Sequence, residues 1–303
     1  MKTVFRKEVL GMILLFSAFL SAQTAKGVRE PAVAGMFYPG DPDRLTKMID
    51  GFLQNAEPII EGSIGGLVSP HAGYQYSGPV AGWSYRQIQG KAYDIVVVIA
   101  PSHFEYFSGA SVYSGEKYLT PLGEIPVATE LARKISESSP SIRLSMDGHR
   151  VGFGSRGEHS LEVQLPFLQR VLDKFELIPI VIADQSWENV KALGEALAEN
   201  LKGKKALIVA SSDLSHYHSY STAYELDKKL LKLFEAFDYQ KLVESCESRK
   251  LEACGYGPIA TMMYACSLLG FDKSRVIKYA TSGDVPVGEK SQVVGYLSGA
   301  VYR

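Results

Sequence analysis

Residues 65–73 read GGLVSPHAG, residues 93–103 read YDIVVVIAPSH, and residues 205–218 read KALIVASSDLSHYH. Each stretch runs from a short apolar segment directly into small polar residues and a histidine. A continuous Val, Ile and Leu run of this length is typical of a strand buried in a parallel sheet. In open α/β sheets, ligands bind just beyond the carboxyl ends of such strands. The three stretches therefore predict one sheet edge where several histidines meet.

The rest of the chain alternates between strand and helix patterns. Further strands are predicted at 177–182, 276–281 and 292–297, and a hairpin at 111–124. Helices are predicted at 43–55, 79–89, 129–138, 160–173, 187–201, 223–236, 239–247 and 258–269. Strands that alternate with helices imply an α/β fold, in which a mostly parallel central sheet is flanked by helices. We find no internal repeat or linker, so a single domain is predicted.

Composition and charge narrow the function classes. With 303 residues, of which 46% are hydrophobic, the chain can bury the core of one large globular domain. It carries 32 Lys and Arg against 33 Asp and Glu, which gives a net charge of −1. General affinity for nucleic acid or an anionic lipid surface would need a basic excess. We therefore expect no nucleic-acid partner, and we predict no membrane span in the mature chain.

The first 22 residues have the pattern of a secretory signal peptide. Lys2, Arg6 and Lys7 precede the apolar run 9–20, which is short for a membrane span and is followed by Ser21 and Ala22. Cleavage is expected after Ala22 or Ala25, and an uncleaved anchor is the alternative. The folded domain, residues 28–303, is thus expected to be exported to the periplasm or the cell exterior.

The three cysteines, Cys246, Cys254 and Cys266, fall within one short stretch. An odd count leaves at least one thiol unpaired. One interpretation is a disulfide between Cys246 and Cys254 with Cys266 buried, which export makes plausible. The other is that Cys254 stays free as a ligand or reactive group. The sequence leaves both open.

His71 and His103 are the first candidate metal ligands. Each follows a hydrophobic strand and lies among small residues, and imidazole is a common ligand of Fe, Cu, Ni and Zn. The alternative is that each ring merely forms a hydrogen bond in a turn. A third ligand could be Cys254, which lies in a glycine-rich loop before a helix. It could also be one of the carboxylates Asp213, Glu158 and Asp284.

Other polar and aromatic residues are expected to line the same pocket. Asp213 precedes His216 by three residues and could orient its ring, which would leave His216 as a general acid or base. The alternative is that Ser211, Ser212 and Asp213 cap a helix. Ser160 and Glu162 fit the first turn of the 160–173 helix. The predicted pocket residues are Glu158, His159, Tyr74, Tyr76 and Tyr256.

Six segments together resemble one known family. They are REPAVAGMFYP (29–39), SPHAGYQYSG (69–78), PSH (101–103), GEHSLEVQLPFLQ (157–169), SSDLSHY (211–217) and CGYGP (254–258). In this order they are similar to the Memo family, which in prokaryotes is component B of the AmmeMemoRadiSam system. That family is similar in fold to the class III extradiol ring-cleaving dioxygenases, which are non-haem iron enzymes.

The resemblance implies roles for five residues. His71, His103 and Cys254 match the metal-ligand positions, and Asp213 and His216 match the acidic and histidine pair of the pocket. The dioxygenases have a glutamate where this chain offers Cys254. Because a thiolate is softer than a carboxylate, it shifts the preference toward copper, zinc or a differently tuned iron. The resemblance in fold therefore does not transfer the ring-cleavage reaction.

Three hypotheses for the function follow. The first is a redox or oxygenase-like metalloprotein that uses a divalent metal, with iron as first choice and copper or zinc as alternatives. The second is a protein that binds a metal or a peptide without turnover, and the third is a zinc-dependent hydrolase. The expected partner is a small organic molecule or a peptide in the metal pocket, and no oligomeric state is predicted.

Overall fold

The computed structural model describes residues 27–152 and 157–303, so the signal peptide predicted at 1–22 lies outside the described residues. The described chain forms one α/β domain with a large central sheet and a small three-stranded sheet. Within these residues, no helix is both long and apolar enough to cross a bilayer.

The strands are β1 Val28–Arg29, β2 Ile64–Ser69, β3 Ile95–Pro101, β4 Ala110–Tyr113, β5 Lys117–Thr120, β6 Gly123–Pro126, β7 Ile142–Ser145, β8 Glu176–Ile182, β9 Ala206–Ser211, β10 Asp213–His218, β11 Lys273–Thr281 and β12 Val293–Tyr302. The helices are α1 Pro42–Gln54, α2 Tyr74–Arg86, α3 Thr129–Glu137, α4 Leu165–Val171, α5 Trp187–Leu201, α6 Tyr220–Glu235, α7 Tyr239–Glu247 and α8 Tyr256–Leu268. Short 3-10 turns lie at Glu162–Gln164 and Ser282–Asp284.

The central sheet has the order β10-β12-β2-β9-β3-β8-β4-β7, and β11 pairs with β12. Its four middle strands, β2, β9, β3 and β8, are parallel. Antiparallel pairings flank them, between β2 and β12 on one side and between β8 and β4 on the other. The predicted single α/β domain with a parallel sheet at its centre is confirmed, and it is consistent with a dioxygenase-like fold.

The middle strands are buried on both faces, which explains their continuous apolar runs. In β3, Val96 and Val98 pack into the core on one side of the sheet, whereas Val97 and Ile99 pack into the core on the other. Each fully buried aliphatic side chain contributes roughly 1.5–3 kcal/mol through removal of apolar surface from water. A parallel centre of this kind brings all four carboxyl ends to one edge.

Strand β10 is a difference from the sequence prediction, which treated Asp213 to His218 as a polar cluster after a strand. The chain leaves β9 at Ser211 and crosses the end of β2 before it pairs antiparallel with β12. Register shifts interrupt the pairing, and Tyr217 has a positive φ of 61°. Because a bulge breaks the two-residue alternation of a strand, periodicity did not reveal β10.

The helix in this part of the chain is shorter than the predicted range of 160–173. Glu162, near its start, forms a buried ion pair with Arg29. The helical segment consists of the 3-10 turn Glu162–Gln164 followed by α4. Glu162 is not a surface charge at a helix end, because its Oε2 accepts hydrogen bonds from Arg29 Nη1 at 2.7 Å and from Ala32 N at 2.7 Å. Its Oε1 accepts from Tyr38 Oη at 2.6 Å. Glu162 thereby fastens the N-terminal segment of the domain to α4.

His149, which follows β7, is buried in the core. Its Nε2 donates to the backbone oxygen of Ser111 at 3.0 Å, and its Nδ1 accepts from Tyr118 Oη at 2.6 Å. The ring is therefore neutral. Burial lowers the pKa of His149 to about 3.

This histidine should make the fold sensitive to acid. The folded-state pKa of His149 lies below the ordinary value of about 6.5. The stability that the neutral ring contributes to the fold is therefore present above pH 6.5 and is lost as the pH falls toward 3. In metal-free protein, we expect the loss to approach about 1.4 kcal/mol of unfolding free energy per pH unit below 6. Urea unfolding at pH 7.5 and pH 5 checks this. His149→Gln should be less stable at pH 7.5 but should lose less on acidification, and equal losses would contradict the assignment.

Candidate metal centre

His71, His103 and Cys254 meet at the carboxyl edge of the parallel strands. His71 lies two residues after β2, His103 lies two residues after β3, and Cys254 lies two residues before α8. One ligand atom from each residue lies within 4.8 Å of the other two, and the Cys254 Sγ is 3.1 Å from the Nε2 of His71. Two nitrogens and one sulfur at these separations could hold a single metal ion.

The hydrogen bonds of His71 fix its tautomer. Its Nδ1 lies 2.9 Å from Ser211 Oγ, which donates its only proton to the backbone oxygen of Ser160 at 2.6 Å. Ser211 Oγ must therefore accept from His71, so Nδ1 carries the proton and Nε2 presents a lone pair. Burial lowers the pKa of His71 well below its usual value, and it keeps the ring neutral. This arrangement is the one that a metal-ligating histidine needs.

His103 is held by a carboxylate. Its backbone N and its Nδ1 donate to the two carboxylate oxygens of Glu158 at 2.6 and 3.0 Å. Burial lowers the pKa of His103, but hydrogen bonds to Cys254 and Glu158 outweigh this effect and raise the pKa to about 10. A carboxylate behind the ring is the usual support of a ligating histidine, and a metal would displace the proton on the opposite nitrogen.

Glu158 supports His103, and together with His103 and His159 it also forms a second group of ligand atoms that lie within 4.8 Å of one another. Besides His103, its Oε1 accepts from the backbone N of His159 and from both the N and the Oγ of Ser160, at 2.7–3.0 Å. Burial raises the pKa of this carboxyl, but the contacts with His103 outweigh it and lower the pKa to about 2. Glu158 therefore stays ionised, and its Oε1 takes part in four hydrogen bonds.

The Cys254 loop is tied to the first residue of β10 and to Gln185, which lies three residues after β8. Cys254 N donates to the backbone oxygen of Asp213 at 3.2 Å, and Gln185 bridges Cys254 O at 2.8 Å and Gly257 N at 2.7 Å. A side chain at Gly255 would collide with the backbone oxygen of Ser211, so glycine is required there. All three cysteines are free thiols, and the alternative disulfide between Cys246 and Cys254 is absent from the structure.

The interpretation that Asp213 orients His216 differs from the structure, in which Asp213 supports the loop of His71. Its Oδ1 accepts from the backbone N of His71 at 2.8 Å, and its own backbone N contacts Cys254 Sγ at 3.3 Å. Burial raises the pKa of the Asp213 carboxyl to about 7. The residue thus links two of the three candidate ligands.

His216 takes its orientation from the backbone. Its Nδ1 donates to the backbone oxygen of Leu214 at 2.7 Å, which leaves Nε2 as an acceptor. Burial lowers the pKa of this imidazole, so the ring is neutral. His216 and Tyr256 line a cavity of about 290 Å³ that also reaches Cys254. A neutral histidine at this position could accept a proton from a bound ligand.

The remaining predicted pocket residues occupy three different places. His159 stacks on His103 with ring centroids 4.8 Å apart, and it also approaches His71. Tyr76 lines a separate cavity of about 390 Å³. The prediction that Tyr74 lines the pocket differs from the structure, because its ring packs in the hydrophobic core and its Oη donates to the backbone oxygen of Val163 at 2.6 Å. Asp284 bonds to Thr281 in the capping box of a 3-10 turn and lines the same cavity as Tyr76.

Comparison with known proteins places this site in a family. The model of the Memo-like protein family matches residues 29–300. The chain belongs to the Memo-like family. A MEMO1 family protein of Nitrosopumilus maritimus is 40% identical over 89% of this chain and 98% of its own length. MEMO1 family proteins of Sulfolobus acidocaldarius and Thermotoga neapolitana are 38% and 37% identical, each with the same two coverages.

Two glutamines that support the site in this Memo-like chain were not predicted from the sequence. Gln164 donates to Ser211 Oγ at 2.7 Å and to Pro70 O at 3.0 Å, and Gln185 holds the Cys254 loop. A glutamine in a segment of polar and apolar residues does not by itself indicate a functional site. The position of Gln185 after the buried strand β8 was the available signal, because β8 ends at the same sheet edge as the histidines.

Replacement of Glu158 by glutamine tests the carboxylate support. The variant keeps the side-chain shape but loses the charge that holds His103, so we expect metal affinity to fall roughly 10- to 100-fold. A titration with zinc against a competing chelator measures this change. Glu105→Gln is the matched control, because Glu105 pairs with Arg150 outside the ligand cluster. Equal Kd values for Glu158→Gln and the wild type would contradict the assigned role.

Proposed function

We propose that this Memo-like protein binds one divalent metal ion through His71, His103 and Cys254 and uses it in redox or oxygenase-like chemistry on a small organic molecule. Iron is the first choice of metal, with copper or zinc as alternatives. The observation that carries the proposal is the convergence of the three ligand atoms within 4.8 Å of one another.

The donor set and its surroundings support a metal in this position. The His71 Nδ1 is engaged by Ser211 and the His103 Nδ1 by Glu158, so the opposite nitrogen of each ring is available. The 3.1 Å contact between Cys254 Sγ and His71 Nε2 puts a thiol beside one of these nitrogens. Two imidazoles and one thiolate suit iron, copper or zinc better than magnesium or calcium.

The chain's own residues supply the rest of the proposed chemistry. An iron or copper ion held there would contribute redox capacity and Lewis acidity. His216, neutral and with a free Nε2 in the adjoining cavity, would accept or return a proton of the substrate. Asp213 would keep the His71 loop in place through the backbone N–H of His71.

Oxygen uptake separates the three hypotheses for the function. Protein loaded with ferrous iron is mixed with catechol, and oxygen consumption is followed with an electrode. Uptake that requires His71 and falls in His216→Asn, at unchanged iron content, supports the proposal. Stoichiometric zinc with ester hydrolysis and no oxygen uptake would favour the hydrolase. Bound metal without turnover of catechol or ester would favour the non-catalytic binding protein.

We further infer that the chain is exported, on the basis of the basic N-terminus and the apolar run at residues 9–20. N-terminal sequencing of protein from the non-cytoplasmic fraction is expected to begin at Gln23 or Lys26. Thiol counting on this material should give three free cysteines. Full-length protein retained in the cytoplasm would contradict the inference.

A further inference from the structure

Arg249 lies at the cavity beside the candidate metal centre. The cavity of about 290 Å³ is lined by Arg249 together with His216, Cys254 and Glu252. A ligand in this space would lie beside Cys254, the neutral His216 and the solvent-exposed Arg249.

The charge of Arg249 is left without a partner inside this cavity. Glu252 is the carboxylate among the lining residues, and its Oε2 already accepts from His218 Nε2 at 2.9 Å. Among the ion pairs between described residues, none involves Arg249. The guanidinium is therefore available to a ligand that carries a negative charge.

The backbone of Arg249 is a second, independent observation. The residue follows Ser248, the C-cap of α7, with a φ of 57°, and its N–H bonds to Cys246 O at 2.9 Å. Glycine is the usual residue at such a position, because other residues are disfavoured in the left-handed region. A cation near a helix C-terminus is favourable, but the adjacent Lys250 already supplies one. The need for a cap therefore does not explain an arginine here.

We propose that Arg249 selects ligands that carry a carboxylate and holds that group while the rest of the ligand extends toward Cys254 and His216. The planar guanidinium matches a carboxylate with two parallel hydrogen bonds. This inference rests on the same site as the proposed function and names its substrate class, namely small organic carboxylates. An uncharged analogue of the same size would lack the contact.

Alkylation of Cys254 tests the proposal on metal-free protein and is therefore independent of metal binding and turnover. Iodoacetate and iodoacetamide have nearly the same size but differ in charge. In both reactions the thiolate of Cys254 forms a bond to the CH₂ carbon, and iodide leaves with the electron pair of the broken C–I bond. Peptide mass mapping gives the rate at Cys254 separately from that at Cys246.

The ratio of the iodoacetate rate to the iodoacetamide rate is the measured quantity. We expect Arg249→Gln to lower this ratio about five-fold, because the variant loses one partly screened charge pair with iodoacetate. The iodoacetamide rate should stay nearly unchanged. Arg249→Lys should keep part of the preference. Lys250→Gln removes the neighbouring charge outside the cavity and should leave the ratio unchanged. Arg249→Gly, which relieves the positive φ, provides a second variant if the glutamine variant does not fold.

Three results would overturn the assignment. The first is an unchanged ratio in Arg249→Gln and Arg249→Gly. The second is an equal decrease in Lys250→Gln, which would indicate a general surface potential. The third is a Cys254 that reacts with neither reagent, because the cavity would then not connect the two residues. A failure of the metal proposal would leave this ratio unaffected, so the two failures are distinguishable.

Discussion

Replacement of His71 by alanine, or of Cys254 by serine, is expected to reduce bound metal well below one equivalent per chain. Each variant removes one of three ligand atoms that converge within 4.8 Å of one another. The two remaining ligands cannot enclose an ion, and the serine hydroxyl is a much poorer ligand than a thiolate. Elemental analysis of freshly purified, untagged protein measures the effect.

Two controls make the metal analysis specific. His218→Ala removes a half-buried histidine that pairs with Glu252, and Cys246→Ser removes a buried thiol, and both residues lie outside the ligand group. Both controls should keep the metal content of the wild type. Full occupancy in both His71→Ala and Cys254→Ser would refute the site.

Replacement of Glu162 by alanine is expected to lower the free energy of unfolding by about 3–5 kcal/mol. The variant would leave the buried Arg29 guanidinium, 3% exposed, without its counter-charge. It would also strip hydrogen-bond acceptors from the N–H groups of Ala32 and Val33 and from the Tyr38 hydroxyl. Unpaired buried charges and donors each destabilise the folded state.

Urea unfolding of metal-free protein measures this change without interference from ligand binding. Glu137→Ala is the matched control, because it removes one carboxylate of an exposed i,i+4 pair with Arg133. Exposed pairs contribute at most about 1 kcal/mol, so the control should change stability little. A loss below 1 kcal/mol in Glu162→Ala would show that the N-terminal segment does not depend on this pair.

The site could be located from sequence because parallel strands end at one edge. The apolar runs before His71 and His103 identified β2 and β3, and the sheet order places these strands on either side of β9. Cys254 was harder to place. It is 183 residues away from His71 in sequence and arrives on a loop that no strand precedes. The sequence therefore could not distinguish Cys254 from the carboxylates as the third ligand.

The sequence did not reveal contacts that depend on tertiary packing. Glu162 was assigned to the first turn of a helix, but its buried ion pair with Arg29 was not predicted. Asp213 was expected to orient His216, but the crossing of the chain from β9 to β10 turns its carboxylate toward the His71 backbone. Tyr74 is the first residue of α2 and lies in the core. Each of these outcomes depends on a partner that is more than 80 residues distant.

X-ray absorption spectroscopy of the wild-type protein, loaded with one equivalent of zinc, tests the central claim most directly. The account predicts one sulfur scatterer at about 2.3 Å and two imidazole nitrogens at about 2.0 Å from the metal. The sulfur scatterer should vanish in Cys254→Ser and persist in Cys246→Ser. A first shell of nitrogen and oxygen alone in the wild type would contradict the assignment of Cys254 as a ligand.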